Sequence, residues 1–160
     1  MATRQRVLGN EHPDTLSSLS AWAGHLKAIG KLSVAEPLLR EVLSVREKVL
    51  GKDHPHTLNS IFSLAGLLHD QGNLSGAEPL YQLALSMRKK VLGDRHPETL
   101  STMSDLASLL ADRGNLSEAE PLFREALAGM KGTLGEEHPH TRICESALAM
   151  LLEYKSGDQP

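Results

Sequence analysis

Aromatic residues are the scarcest class in this sequence, 3% of 160 residues, and are confined to Trp22, Phe62, Tyr81, Phe123 and Tyr154. Runs of β-branched residues are missing as well. Little is therefore available to build strands, and the 29 leucines point to helices packed through Leu and Ala. A single cysteine, Cys144, excludes an internal disulfide framework and any multi-cysteine metal site, and it suits a reducing compartment. No run approaches the roughly 18 consecutive apolar residues of a spanning helix. Residues 1–6 have no apolar stretch of the kind a signal peptide needs, so a cytoplasmic location is expected. Nor is there an excess of one charge. A net charge of −3 gives no global field that would gather nucleic acid or anionic lipid, so neither nucleic acid nor membrane is an expected partner. No glycine-rich phosphate loop, catalytic serine motif or paired acid/base constellation appears, and the expectation is no enzyme and no cofactor.

What the sequence does contain is periodic. His-Pro occurs at 12–13, 54–55, 96–97 and 138–139, always 42 residues apart. The same interval separates Gly9, Gly51, Gly93 and Gly135; Gly30, Gly72 and Gly114; and Ala-Glu-Pro-Leu at 35–38, 77–80 and 119–122. A period between 20 and 50 residues signals a stacked array of supersecondary units. Within each unit, proline at the first helical position starts a helix A, which should run to about Ile29, Gln71 and Arg113 and stop at the glycine that follows. Ser33-Val34-Ala35-Glu36, Ser75-Gly76-Ala77-Glu78 and Ser117-Glu118-Ala119-Glu120 each fit a reciprocal capping box opening a helix B. Pro37, Pro79 and Pro121 fall later than proline prefers, so either the N-cap is a residue or two further on or the start is bent. Helix B then continues to Leu50, Leu92 and Leu134.

Helix A is apolar over about half its circumference, at Leu16, Leu19, Trp22, Ala23 and Leu26 in the first unit and at matching positions in the next two, which is enough to touch two neighbours. Ala23, Ala65 and Ala107 sit where helix A should meet helix B, answered by Ala35, Ala77 and Ala119. In the third helix B, Gly129 and Gly132 replace Val45 or Met87 and Lys48 or Lys90. Each helix-interior glycine costs about 1 kcal/mol relative to alanine, which predicts greater mobility at 128–135 than at 44–51.

The large-x-x-large-small-x-x-large pattern of helix A, the glycine turn, and Ala-Glu opening helix B resemble the tetratricopeptide repeat. The 42-residue unit with Leu-Gly-x-x-His-Pro at its joints is similar to the long-unit type of kinesin light chains and of nephrocystin-like and NB-ARC-linked arrays. The resemblance implies an all-α fold, an α-solenoid coiled as a right-handed superhelix of antiparallel helix pairs, whose helices A line a concave groove for peptides or partner helices. It implies binding and not catalysis. The heptad coiled coil that precedes the repeats of a kinesin light chain is absent here. The units read as the end of a preceding helix B at 1–11, repeats at 12–53, 54–95 and 96–137, a C-terminal capping helix at 138–155, and a disordered tail at 156–160. In the capping helix Leu148, Ala149 and Leu152 occupy the family's core positions, with Glu145 where Leu19, Ile61 and Met103 stood. The array reads as a piece of a longer solenoid.

The implied groove face collects Ser17, Ser20, Ala21, Gly24, Lys27 and Ala28 from the first unit; Asn59, Phe62, Ser63, Gly66, His69 and Asp70 from the second; and Ser101, Ser104, Asp105, Ser108, Ala111 and Asp112 from the third. All of these except Ser17, Ala21, Ala28 and Ala111 make up the expected peptide-binding site, with Phe62 as anchor. Of the Lys, Arg and Asn clamp that holds carboxylate-terminated chaperone tails in related domains, only Lys27 and Asn59 remain. A surface of Ser, Gly and Ala admits close approach of another backbone, so a segment carrying apolar and basic residues is the expected ligand. The three units carry +1, +1 and −5, and this asymmetry opens a second expectation, head-to-tail self-association of a structural module through its ends. His54-x-His56 and His138-x-His140 resemble metal-binding pairs but sit at helix starts, where a capping role is expected and no metal. The basic run Arg88-Lys89-Lys90 reads as a solvated helix face and not as a nucleic-acid patch.

Overall fold

A computed structural model describes residue 9 and residues 11–157. The preceding helix-B end expected at 1–11 falls almost wholly outside the described residues, as do the last three residues of the tail. Among those described there are seven helices and no strand: α1 (Pro13–Ala28), α2 (Leu32–Leu50), α3 (Pro55–Asp70), α4 (Leu74–Leu92), α5 (Pro97–Asp112), α6 (Leu116–Thr133) and α7 (Pro139–Ser156). The odd-numbered helices are helices A and the even-numbered ones helices B.

Every helix A begins in the same way. His12, His54, His96 and His138 stand in extended conformation ahead of the proline, and each Nδ1 accepts from the backbone N–H two residues on, at 3.2 Å. The imidazole thus takes the place of a Ser or Asp cap. Nδ1 can do so only in the neutral ring whose proton sits on Nε2. The paired histidines are therefore helix starts, with the rings of His54 and His56 5.3 Å apart. Helix A ends as its sequence requires: Gly72, at φ +75°, takes the left-handed turn that a Cβ would strain.

Helix B departs from the expected capping box. α2 and α6 begin at Leu32 and Leu116, one residue before the serine, and neither has a side-chain cap. At α4 the cap is Asn73, whose Oδ1 accepts from the Gly76 N–H at 3.0 Å. The glutamates of the supposed box act elsewhere: Glu36 accepts from Arg40 Nε at 2.9 Å and from Gln71 Nε2 at 3.1 Å, and the Gln71 and Arg40 bonds hold its carboxyl below the ordinary range. Starting early places Pro37, Pro79 and Pro121 inside the helix. The carbonyls they leave without a donor are those of Ser33, Ser75 and Ser117, which lie in the first turn at exposed residues where water serves.

The chain divides into two compact units at Leu80/Tyr81. In the first, α1 packs on α2, and α2 on α3, around Leu16, Leu19 and Val42, with Leu38 and Val45 against them. In the second, α6 lies between α5 and α7, and Phe123, Ala126 and Met130 are fully buried. The small pairs Ala23 and Ala35, Ala65 and Ala77, and Ala107 and Ala119 are all at zero exposure. Trp22 differs from the core role expected of it: it is exposed and stacks on His25 at 5.5 Å.

Two buried arginines fasten a helix B to the helix A that follows. Arg46 Nη1 donates to the His56 carbonyl at 3.2 Å and to Ser60 Oγ at 2.8 Å. One period on, Arg88 Nη1 donates to the Glu98 carbonyl at 3.0 Å and to Thr102 Oγ1 at 2.6 Å. Arg88 is only 3% exposed, which overturns the reading of the 88–90 run as a wholly solvated face. Burial lowers both guanidinium pKa values, and the charges of Glu98 and Asp105 oppose this at Arg88. At the third joint the corresponding residues are Met130 and Cys144, both buried, so an apolar pair replaces a polar one. Burial pushes the Cys144 thiol pKa up.

α6 continues unbroken through both of its interior glycines to Thr133. They serve different ends. A Cβ on Gly129 would stand 2.5 Å from Leu100 Cδ2, whereas one on Gly132 would meet nothing. Gly132→Ala is therefore expected to raise stability by about 1 kcal/mol, and Gly129→Ala to gain less or lose, because buried Leu100 must move. Urea midpoints of the two variants test this, and equal gains would refute a packing role for Gly129.

Candidate binding groove

The helix A positions expected to line a groove recur at 42-residue intervals in the sequence, and each compact unit carries its own set of them. In the first unit α1 and α3 lie side by side. Lys27 Nζ reaches Asp70 Oδ2 at 3.1 Å, so two of the expected site residues are joined across the helices. Gly24 and Ser63 are exposed; Ser20, Asn59, Phe62 and His69 are half-buried. Gly66 is buried and offers no accessible surface.

In the second unit α5 supplies half-buried Ser101, Asp105 and Ser108 and exposed Asp112. Ser104 departs from expectation. It is 8% exposed, with its side chain hydrogen-bonded to that of Cys144 and its carbonyl accepting from Ser108 Oγ at 3.2 Å. Its place is the α5–α7 seam and not the open face.

Sequence reasoning missed the contribution of α7. Its buried residues are Thr141, Cys144, Leu148 and Leu151; of the three expected core positions only Leu148 is buried, while Ala149 is exposed and Leu152 half-buried. Ile143, Ala147, Met150 and Tyr154 lie in register with Ser101, Asp105, Ser108 and Asp112, each 42 residues earlier. They place an apolar surface where the earlier helices have small or polar residues. Extending the period by one more helix would have found them.

Between these helices lies a concavity of about 450 Å³, lined by Ser108, Ala111, Asp112 and Gly114, by Leu116 and Phe123 of α6, and by Ala147, Met150, Leu151 and Tyr154. Its α7 wall is tied to α6 at both ends. Lys131 Nζ bonds Glu145 at 2.7 Å, and Lys155 bonds Glu120, which Arg124 also reaches at 3.0 Å. Those two cations hold the Glu120 carboxyl below its ordinary range, and Glu145 raises the Lys131 pKa. Among the described residues no group of three His, Cys, Asp or Glu side chains could hold a metal, and no helix is long and apolar enough to cross a membrane.

A family model described as tetratricopeptide repeat matches residues 14–90, 60–132 and 98–160. No curated protein matches the chain. Among solved structures, a kinesin light chain-like protein of Podosopora anserina with nearly identical TPR-like repeats aligns at 28% identity and TM-score 0.78, over 99% of this chain and 74% of that one. A point variant of that protein gives 0.79 at the same identity and coverage. BtubC from P. vanneervenii shares the fold at TM-score 0.79 and 22% identity, over 96% of this chain and 62% of that one.

Proposed function

The chain belongs to the tetratricopeptide repeat family, and from that premise we propose that it is a non-enzymatic interaction scaffold whose helices A hold a peptide or partner helix. The fold is generally one of protein–protein interaction. The observation that carries the finer reading is the second unit's concavity, which joins an apolar wall on α7 to a small, acidic wall on α5. Its exposed groups suit packing and charge pairing with the side chains of a partner segment. A lone, buried thiol suits a reducing compartment, and we place the protein in the cytoplasm.

Selection from a displayed library of random 12-residue peptides tests this reading. Selected peptides are expected to lose binding to Gly24→Arg in the first unit or to Ser108→Arg in the second, with helix content by circular dichroism unchanged. Gly24 is exposed, with open space around a Cβ, so its change leaves the fold alone. Peptides indifferent to both substitutions would put binding outside the groove. Failure to select any peptide, together with salt-sensitive oligomers in sedimentation, would instead favour head-to-tail association through the charge asymmetry between units.

A further inference from the structure

We propose that the concavity between α5 and α7 is the anchor pocket of the groove, and that it takes a large aliphatic or aromatic side chain from a segment that also places a lysine or arginine against α5. The inference rests on the scaffold reading and names the ligand chemistry within it. Three observations converge on it. The first is register. The face of α5 that packs on α6 is formed by Leu100, Met103, Ala107 and Leu110, all buried. In α7 that face becomes Arg142, Glu145, Ala149 and Leu152, with the two charges exposed. Apolar character has moved instead to the groove face.

The second is exposure. Ile143, Met150 and Tyr154 are 65%, 70% and 61% exposed, more than any other large apolar residue described. They stand at i, i+7 and i+11 on α7, a continuous stripe along about three turns. Met150 and Tyr154 edge the concavity, and buried Phe123 floors it. Met is a side chain that adapts to varied apolar partners, and Tyr supplies contact area at small entropic cost.

The third is charge. α5 contains three acidic residues and no Lys or Arg; Glu98 lies 3.6 Å from Arg88 and Asp105 also acts on that guanidinium, so the acidic group at the concavity itself is Asp112. Asp112 lines the concavity across from Tyr154, and Asp105 is half-buried about two turns before it. A cation on the ligand is favoured on that side and an anion disfavoured, which gives the groove a direction and a sign.

The test uses the same displayed library on the full chain. The expected consensus places Leu, Met, Phe or Tyr within about four residues of Lys or Arg, one helical turn. Met150→Glu should weaken the selected peptides at least about thirtyfold, the range of a hot-spot residue. Asp112→Lys should weaken them at least about fivefold and turn the selection toward acidic peptides. Peptides lost on Gly24→Arg but indifferent to Met150→Glu would overturn the pocket and leave the scaffold standing. Peptides indifferent to all of these substitutions would overturn both. A concentration-dependent dimer in sedimentation that Met150→Glu abolishes would show a second copy as the occupant and overturn the ligand proposed here.

Discussion

Replacing Arg88 by alanine is expected to destabilise the protein by about 3 kcal/mol, from the loss of hydrogen bonds made by a buried cation and the void left by its stem. Arg88 donates to the Glu98 carbonyl and to Thr102 Oγ1, and its Nη2 lies 3.6 Å from the Glu98 carboxylate. Thr102 Oγ1 also donates to the Glu98 carbonyl at 2.7 Å, so the alanine variant leaves that carbonyl satisfied. The cost therefore lies mainly in arginine's own contacts. The third joint shows how the chain dispenses with them: Met130 and Cys144 occupy the same register in a fully buried setting. Arg88→Met with Thr102→Cys should accordingly lie within about 1 kcal/mol of the parent, since well-packed apolar groups often replace a buried polar pair at little cost. Urea unfolding of the single and double variants gives both numbers. A loss below about 1 kcal/mol for Arg88→Ala would show that neither the hydrogen bonds nor the packing of the arginine stabilises this joint.

Phe123→Ala should cost about 3–5 kcal/mol, the range for an aromatic side chain removed from a packed core. Phe123 is buried in α6, its carbonyl accepts from the Cys144 Sγ at 3.7 Å, and its ring floors the concavity that α7 walls. Removing it undercuts the α6–α7 contact and the proposed pocket together. Amide exchange in α5, α6 and α7 should accelerate along with the fall in unfolding free energy. Peptide binding should weaken even at temperatures where the variant remains folded, because a deeper pocket loses contact with the anchoring side chain. Unchanged protection in α7 would show that the Lys131–Glu145 and Lys155–Glu120 pairs hold it without the aromatic floor.

Most of the fold is legible in residue spacing. Pro13, Pro55, Pro97 and Pro139 start helices because their fixed φ and missing N–H suit a first turn, and Gly30, Gly72 and Gly114 end them because only a residue without Cβ takes the left-handed turn cheaply. The opening of helix B misleads for an equally local reason. Serine three residues before glutamate fits a capping box, but the Glu36 carboxylate finds Arg40 and Gln71, and Glu120 finds Arg124 and Lys155. With α2 and α6 starting one residue ahead of the serine, no serine N-cap remains to complete the box, and the glutamates pair with side chains instead. Spacing names the helix A positions of the candidate site but not their surroundings: Ser104 turns into the α5–α7 seam, and Gly66 is buried.

The 42-residue repeat and the ends of the helices A were thus determined by the order of residues, since histidine capping, proline and left-handed glycine act within a few positions of chain. Which side of each helix meets solvent was decided only by tertiary packing. A Leu at 148 and an Ala at 149 look equally fit for a core, yet one is buried and the other exposed. Arg88 reads as a surface cation until Thr102 and the Glu98 carbonyl close over it. Burial depends on the neighbour that stands against a face, and periodicity places the face without supplying the neighbour.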